Sequence, residues 1–133
     1  MTGVQTCALP ILPVAFEDNK LTTDKVRYAR WASFFQGVPR LRVGEPTFGW
    51  ITEALRSVRY VMRNAAQLSI PGLMVAAGGD QIVDPASVAE FARKSGSTFH
   101  VVPGAKHELF LERDPLRAEF FAAIDDFLDA QGL

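Results

Sequence analysis

Two glycine-bearing loops carry the residues whose types and placement could do chemistry. Gly78-Gly79-Asp80 follows the continuous apolar run Leu73-Met74-Val75-Ala76-Ala77. His107 follows Pro103-Gly104-Ala105-Lys106, after the β-rich run Thr98-Phe99-His100-Val101-Val102. Short apolar runs bounded by proline and glycine read as strands, and the first is expected to be buried on both faces. Between the runs, Asp84-Pro85 opens a helix, with aspartate at the N-cap and proline in the first turn, and Lys94 and Gly96 close it. Strand, helix, strand, helix is a βαβα unit, so the strands are expected to be parallel with a right-handed crossover. Parallel neighbours deliver both loops to the carboxyl edge of the sheet, where ligand chemistry collects in open α/β folds. Asp80 and His107, 27 residues apart, can then pair. A carboxylate beside an imidazole fixes its tautomer and stabilises its protonated form, which suits a general base.

Each of these residues also has a plainer reading. Asp80 alone fits a turn or cap position after a strand, and Asp84, directly before Pro85, fits an N-cap. His107 alone fits a surface histidine after a glycine turn, and His100 reads as structural within its strand. Glu108 and Glu112 have no assigned role beyond favouring the N-terminus of the next helix. Two histidines without H-x-x-x-H or C-x-x-C spacing make a metal site unexpected. Neither G-x-G-x-x-G nor G-x-x-x-x-G-K occurs, so no dinucleotide or P-loop site is read and no cofactor is expected.

The elements that must hold these loops come on both sides. Thr22, Thr23 and Asp24 supply N-cap chemistry for a helix carrying Tyr28, Trp31, Ala32 and Phe35, which ends near Gly37 and Pro39. A second helix is expected from Phe48 to Gln67, with Trp50, Ala54, Leu55, Val58, Val61, Met62 and Ala65 on one stripe. Arg56, Arg59 and Arg63 lie mostly off that stripe and read as a solvated face rather than a phosphate site. A last helix from about Asp114 to Ala130 carries the core stripe Leu116, Phe120, Ala123, Ile124, Phe127 and Leu128. Residues 12–69 are therefore helical and residues 70–133 alternate strand and helix. That boundary reads as the junction of a helical lid with an α/β core.

Composition agrees with a single globular unit. The 133 residues suffice for one domain, and 48% hydrophobic against 22% charged residues argue against disorder. Fourteen Lys and Arg against fifteen Asp and Glu leave a net charge of −1, with no basic surplus for nucleic acid. No apolar run approaches the roughly 20 residues of a membrane-spanning helix. One cysteine, Cys7, forms no internal disulfide. The opening residues 1–11, MTGVQTCALPI, have neither periodicity nor a helix cap and resemble a translated sequencing adapter. A secretory signal would need a Lys or Arg ahead of its apolar stretch. Residues 1–11 are therefore expected to be non-native, and the native chain is expected to extend upstream of residue 12.

The loops and their flanks resemble a known family. Gly78-Gly79-Asp80-Gln81-Ile82-Val83-Asp84 is similar to the acid loop of α/β-hydrolases of the lysophospholipase and monoacylglycerol lipase type, which are serine aminopeptidase S33-like. Pro103-Gly104-Ala105-Lys106-His107-Glu108 resembles their histidine loop. Glu112-Arg113-Asp114 through Phe127-Leu128 is similar to the end of bacterial lysophospholipase-like members. Asn19-Lys20-Leu21-Thr22-Thr23-Asp24 and Pro46-Thr47-Phe48-Gly49-Trp50 resemble segments of their helical cap. The resemblance implies the C-terminal part of an α/β-hydrolase fold, with residues 12–69 as cap and residues 70–133 as core.

The family's order of Ser, Asp, His carries over to Asp80 as triad acid and His107 as general base. None of Ser33, Ser57, Ser69, Ser87, Ser95 and Ser97 has glycine two residues away on each side. The nucleophile elbow and the first oxyanion-hole donors are thus expected upstream, and the fragment alone is expected to be inactive. The parent implied is a serine hydrolase cleaving lysophospholipid or monoacylglycerol esters through an acyl-enzyme. An aminopeptidase or small-ester esterase of the same fold, a non-enzymatic α/β binding module and a helical interaction domain remain open. Trp31, Phe34, Phe35, Phe48 and Trp50 line an acyl pocket in the first reading and fill the lid in the plainer one. The resemblance further implies a small amphipathic acyl-ester substrate, no nucleic-acid partner, no transmembrane segment and no cofactor. The location it implies is cytoplasmic, with room for peripheral contact of the parent with the inner membrane.

Overall fold

The computed structural model of the chain describes residues 14–41 and 46–133. The segment 1–11 with Cys7, and residues 42–45 of the link between the first two helices, lie outside them.

Helix α1 spans Lys25–Gly37 and starts where the Asp24 side chain accepts from the Arg27 backbone N–H. Tyr28 is buried in it, its ring 5.7 Å from Phe16 and 5.5 Å from Trp31, and its hydroxyl donates to the Val14 carbonyl at 2.8 Å. Trp31 and Phe35 continue the row with centroids 4.8 Å apart, so these two aromatics pack along their own helix. Helix α2 spans Phe48–Asn64, capped by Thr47 accepting from Trp50 N–H, and runs into a 3-10 turn at Ala65–Gln67. Its apolar stripe forms as the spacing predicts, yet Trp50, Leu55, Val58 and Val61 are exposed, and only Ala65 beyond its end is buried. Periodicity aligns the stripe, but nothing among the described residues covers it. Arg56, Arg59 and Arg63 are exposed, as a solvated face requires.

Strand β1 (Leu73–Ala77), helix α3 (Pro85–Ser95), strand β2 (Thr98–Val102) and helix α4 (Asp114–Gln131) make the α/β part. The strands pair in parallel, in register from Leu73 with Thr98 to Ala77 with Val102, and α3 forms the crossover between them. Gly96 and Gly132 adopt left-handed backbone at φ 71° and 75°, which ends α3 and α4. The core centres on Ala77, Val102, Ala105 and Phe120, with Val75, Leu109, Leu116 and Ile124 packed against it. Leu128, expected in the core stripe of α4, is exposed near the helix end. Burial of β1 on both faces is also corrected: Leu73, Met74 and Val75 are half-buried, and only Ala76 and Ala77 are buried. Among the described residues β2 is the one strand beside β1, and it cannot cover both edges and faces. No helix among those residues is long and apolar enough to cross a membrane.

Past the last paired residues the two chains stay in contact. Gly78 N–H donates to the Val102 carbonyl at 2.9 Å, and Gly79 N–H donates to the Ala105 carbonyl at 2.8 Å. A Cβ on Gly78 would lie 3.1 Å from both the Val102 oxygen and the Pro103 Cα, atoms of backbone that cannot swing aside. Gly78→Ala is therefore expected to lower unfolding free energy by about 1–3 kcal/mol. Gly37, with open space around its missing Cβ, serves as the control, and Gly37→Ala should be neutral or slightly stabilising. Urea denaturation of both variants checks the pair, and equal losses would contradict the close approach.

Candidate functional site

Asp80 sits at the first turn beyond β1 and splits its carboxylate between two tasks. Oδ1 accepts from the backbone N–H of Ile82 at 2.8 Å and of Val83 at 3.1 Å, closing a local turn. Oδ2 lies 2.9 Å from Nδ1 of His107. The turn reading and the pairing reading of Asp80 describe the same side chain. Its side chain is 8% exposed and that of His107 22%. Burial pushes the Asp80 carboxyl up, but the hydrogen bond with His107, the Ile82 and Val83 N–H groups and the imidazole charge outweigh it. The net position is below the usual carboxylate range. An ionised carboxylate only accepts, so Nδ1 of the imidazole donates, and in the neutral ring the lone pair falls on Nε2. Beside the pair lies a cavity of about 170 Å³ bordered by Ala76, Ala77, Val83, Val88 and the two site residues.

His107 is held through its backbone. Gly104 turns the chain in left-handed backbone at φ 74°, and Ala105 behind it is fully buried. Lys106 N–H donates to Glu112 Oε1 at 2.7 Å, and Lys106 Nζ donates to the Asn19 carbonyl at 2.7 Å. His107 N–H donates to the Lys20 carbonyl at 3.4 Å and Glu108 N–H to the Leu21 carbonyl at 2.8 Å. Residues 19–21, ahead of α1, thus run along the histidine loop.

Glu112 is the residue that sequence reasoning missed. It is fully buried, and its carboxylate accepts from Thr23 N–H at 3.1 Å, from the Thr23 hydroxyl, from Lys106 N–H and from Arg113 N–H at 3.3 Å. The expectation that Glu112 merely favours the next helix is therefore corrected. No spacing signal marks it, because its donors are backbone N–H groups and the hydroxyl of Thr23, which lies 89 residues away.

The remaining candidates are placed elsewhere. Asp84 caps α3, accepting from Ala86 N–H and the Ser87 hydroxyl at 3.0 Å each. His100 Nε2 in β2 is 3.3 Å from Glu119 Oε1 of α4. Among the described residues no group of three or more His, Cys, Asp or Glu could hold a metal ion. Of the lid aromatics, Phe34, Phe48 and Trp50 are exposed.

Comparison with known proteins places the chain in a family. The family model described as serine aminopeptidase, S33, matches residues 2–114. Lysophospholipase L2 of Escherichia coli (strain K12) is 30% identical over 122 residues, covering 86% of this chain and 36% of the relative. A probable lysophospholipase L2 of Haemophilus influenzae is 28% identical over 116 residues, covering 86% of this chain and 37% of its own. The chain thus spans little more than a third of the length of these relatives. No solved structure matches it. With a parallel βαβα unit and a family match over most of its length, the chain belongs to the serine aminopeptidase S33 family of α/β-hydrolases.

Proposed function

We propose that these residues are the C-terminal part of a serine hydrolase that cleaves carboxylic esters of lysophospholipids or monoacylglycerols. Asp80 is its triad acid and His107 its general base. The observation that carries the reading is the 2.9 Å contact of Asp80 Oδ2 with His107 Nδ1 at the carboxyl edge of the parallel strands. The names of the relatives support the lysophospholipid substrate, and the family's own description keeps a peptide bond as the second reading.

In this reading a serine outside the 133 residues attacks the acyl carbonyl while His107 Nε2 takes its proton. The tetrahedral intermediate collapses, and the imidazolium returns that proton to the departing glycerol oxygen. Water then attacks the acyl-enzyme, His107 again taking the proton, and the fatty acid leaves as the serine is reprotonated. Asp80 holds the ring in the tautomer with Nε2 free and stabilises the charge that forms twice per cycle. Residues 12–69 cap the site in this reading. The location is cytoplasmic, with peripheral contact at the inner membrane where such substrates reside.

Three expectations test this. Resequencing the source DNA across residue 12 should reveal an open frame encoding Gly-x-Ser-x-Gly upstream. A genuine start codon ahead of MTGVQTCALPI would instead remove the enzyme reading. In the full-length hydrolase, Asp80→Asn should lower kcat by about 10⁴-fold with little change in KM, measured on a lysophosphatidylcholine and on a peptide amide. The 133-residue chain itself should hydrolyse neither. The third expectation follows from the depressed Asp80 carboxyl. Its contribution to stability is present above the unfolded pKa near ~3.9 and is lost as pH falls through the lower folded value. Urea unfolding from pH 6 to pH 2 should therefore show a shallower acid decline for Asp80→Asn than for the wild type. Parallel curves would mean that the pair carries no charge interaction.

A further inference from the structure

We propose that Glu112 is a positioning residue for the Asp80–His107 pair, tying the segment 19–23 ahead of α1 to the backbone of the histidine loop. The proposal rests on the reading of that pair as catalytic and concerns how its geometry is kept. Among the described residues, Glu112 heads the fully buried side chains by size, and it is the one acidic residue there with no exposure at all. A buried carboxylate persists only where hydrogen bonds replace the water it has lost. Here the replacements come from three separate stretches of backbone: Thr23, Lys106 and Arg113. Lys106 is the residue directly before the catalytic candidate His107.

A second set of bonds runs parallel to the first. The His107 and Glu108 N–H groups donate to Lys20 and Leu21, and Lys106 Nζ donates to Asn19. Asn19 is itself buried, its Oδ1 accepting from Leu21 and Thr22 N–H at 3.0 Å each, which fixes the turn that presents those carbonyls. Thr22 closes the assembly, its hydroxyl donating to the Leu111 carbonyl at 2.8 Å. The three consecutive N–H groups of residues 106–108 thus all end on Glu112 or on the segment that Glu112 holds. None of these contacts touches the imidazole or Asp80. Glu112 acts on the pair through backbone alone, by setting where the loop carries the ring.

Glu112→Gln tests this, because it puts an NH₂ donor where a backbone N–H needs an acceptor, leaving Thr23 or Lys106 unpaired. The readout is the NMR signal of the His107 Nδ1 proton shared with Asp80 in the full-length hydrolase. Solvent exchange of that proton should rise about tenfold or more in Glu112→Gln, since the loop opens locally once a charged hydrogen bond is lost. Ile124→Ala, which removes core packing without touching the clamp, should lower global stability and leave the exchange rate within about twofold. Glu112→Asp, which keeps the charge on a shorter arm, should fall between the two. Should Glu112→Gln fail to fold, Thr23→Val keeps the carboxylate and its backbone donors while deleting one hydroxyl, and must raise exchange in the same direction. A proton that exchanges at the wild-type rate in both variants, yet vanishes in Asp80→Asn, overturns the clamp and leaves the catalytic pair standing. A wild-type chain with protected Thr23 and Lys106 amides but no such proton means that the pair itself has failed. The clamp then has nothing to position.

Discussion

The site depends on one constraint: β1 and β2 run parallel and end level, Ala77 opposite Val102. Because the strands are parallel, the loops that follow them leave the sheet from the same edge. Because they end level, Asp80 and His107 need only short excursions to meet. The sequence between them is sized for this, with α3 and β2 returning the chain to the edge it left. Small residues then let the loops approach. Ala76, Ala77 and Ala105 are buried, and Gly78 and Gly79 spend their N–H groups on Val102, the last residue of β2, and on Ala105 in the loop beyond it. Such residues bury little apolar area, so their contribution lies in proximity more than in hydrophobic stabilisation.

Both strands and the caps of α1 and α3 are legible in the sequence because their signals are local. Pro71-Gly72 and Gly78-Gly79 bracket β1, and Asp24 and Asp84 bind N–H groups two or three residues away. The pairing of Asp80 with His107 is not local, yet it is legible because a right-handed parallel crossover leaves one edge for both loops. What fails to be read depends on neighbours that no period encodes. The stripe on α2 specifies a face and not the surface it meets, so exposure of Trp50 and Val58 could not be foreseen. Burial of β1 depends on which strands flank it, and periodicity is silent on that. Glu112 is the sharpest case. It looks like a helix-start acid because it lies two residues before α4, and most of its actual donors are backbone N–H groups, which leave no mark in the sequence.

Asp80 shows why two readings of one residue need not compete. With Oδ1 committed to Ile82 and Val83, the carboxylate cannot rotate freely, and Oδ2 is left aimed at the imidazole. The same N–H groups that make the turn also favour the charged form against the cost of burial. Were the carboxyl protonated, it would offer a proton where the ring needs an acceptor, and the tautomer would be lost. The turn is therefore part of the electrostatics of the pair. In the proposed hydrolase, preorganisation of this kind would place the dipoles before charge develops on the ring, which is where such arrangements contribute most to catalysis.

A buried acid needs a reason, since replacing buried charge with apolar side chains is often neutral or stabilising. At position 112 the reason lies in the backbone around it. Thr23 and Lys106 belong to irregular segments with no strand partner, so their N–H groups have no ladder to join. An apolar residue of the same volume would fill the space and leave those donors orphaned in the interior, each costing about 1–3 kcal/mol. A carboxylate presents several acceptor sites on one small group, and here it serves three segments at a single point. The Arg27 guanidinium extends the same junction, donating to the Glu112 carbonyl at 2.7 Å and to Asp24 Oδ2 at 2.8 Å. The start of α1 and the histidine loop are thereby joined as one body. The link between the N-terminus of α1 and residues 106–108 is thus made by polar contacts rather than through the hydrophobic core.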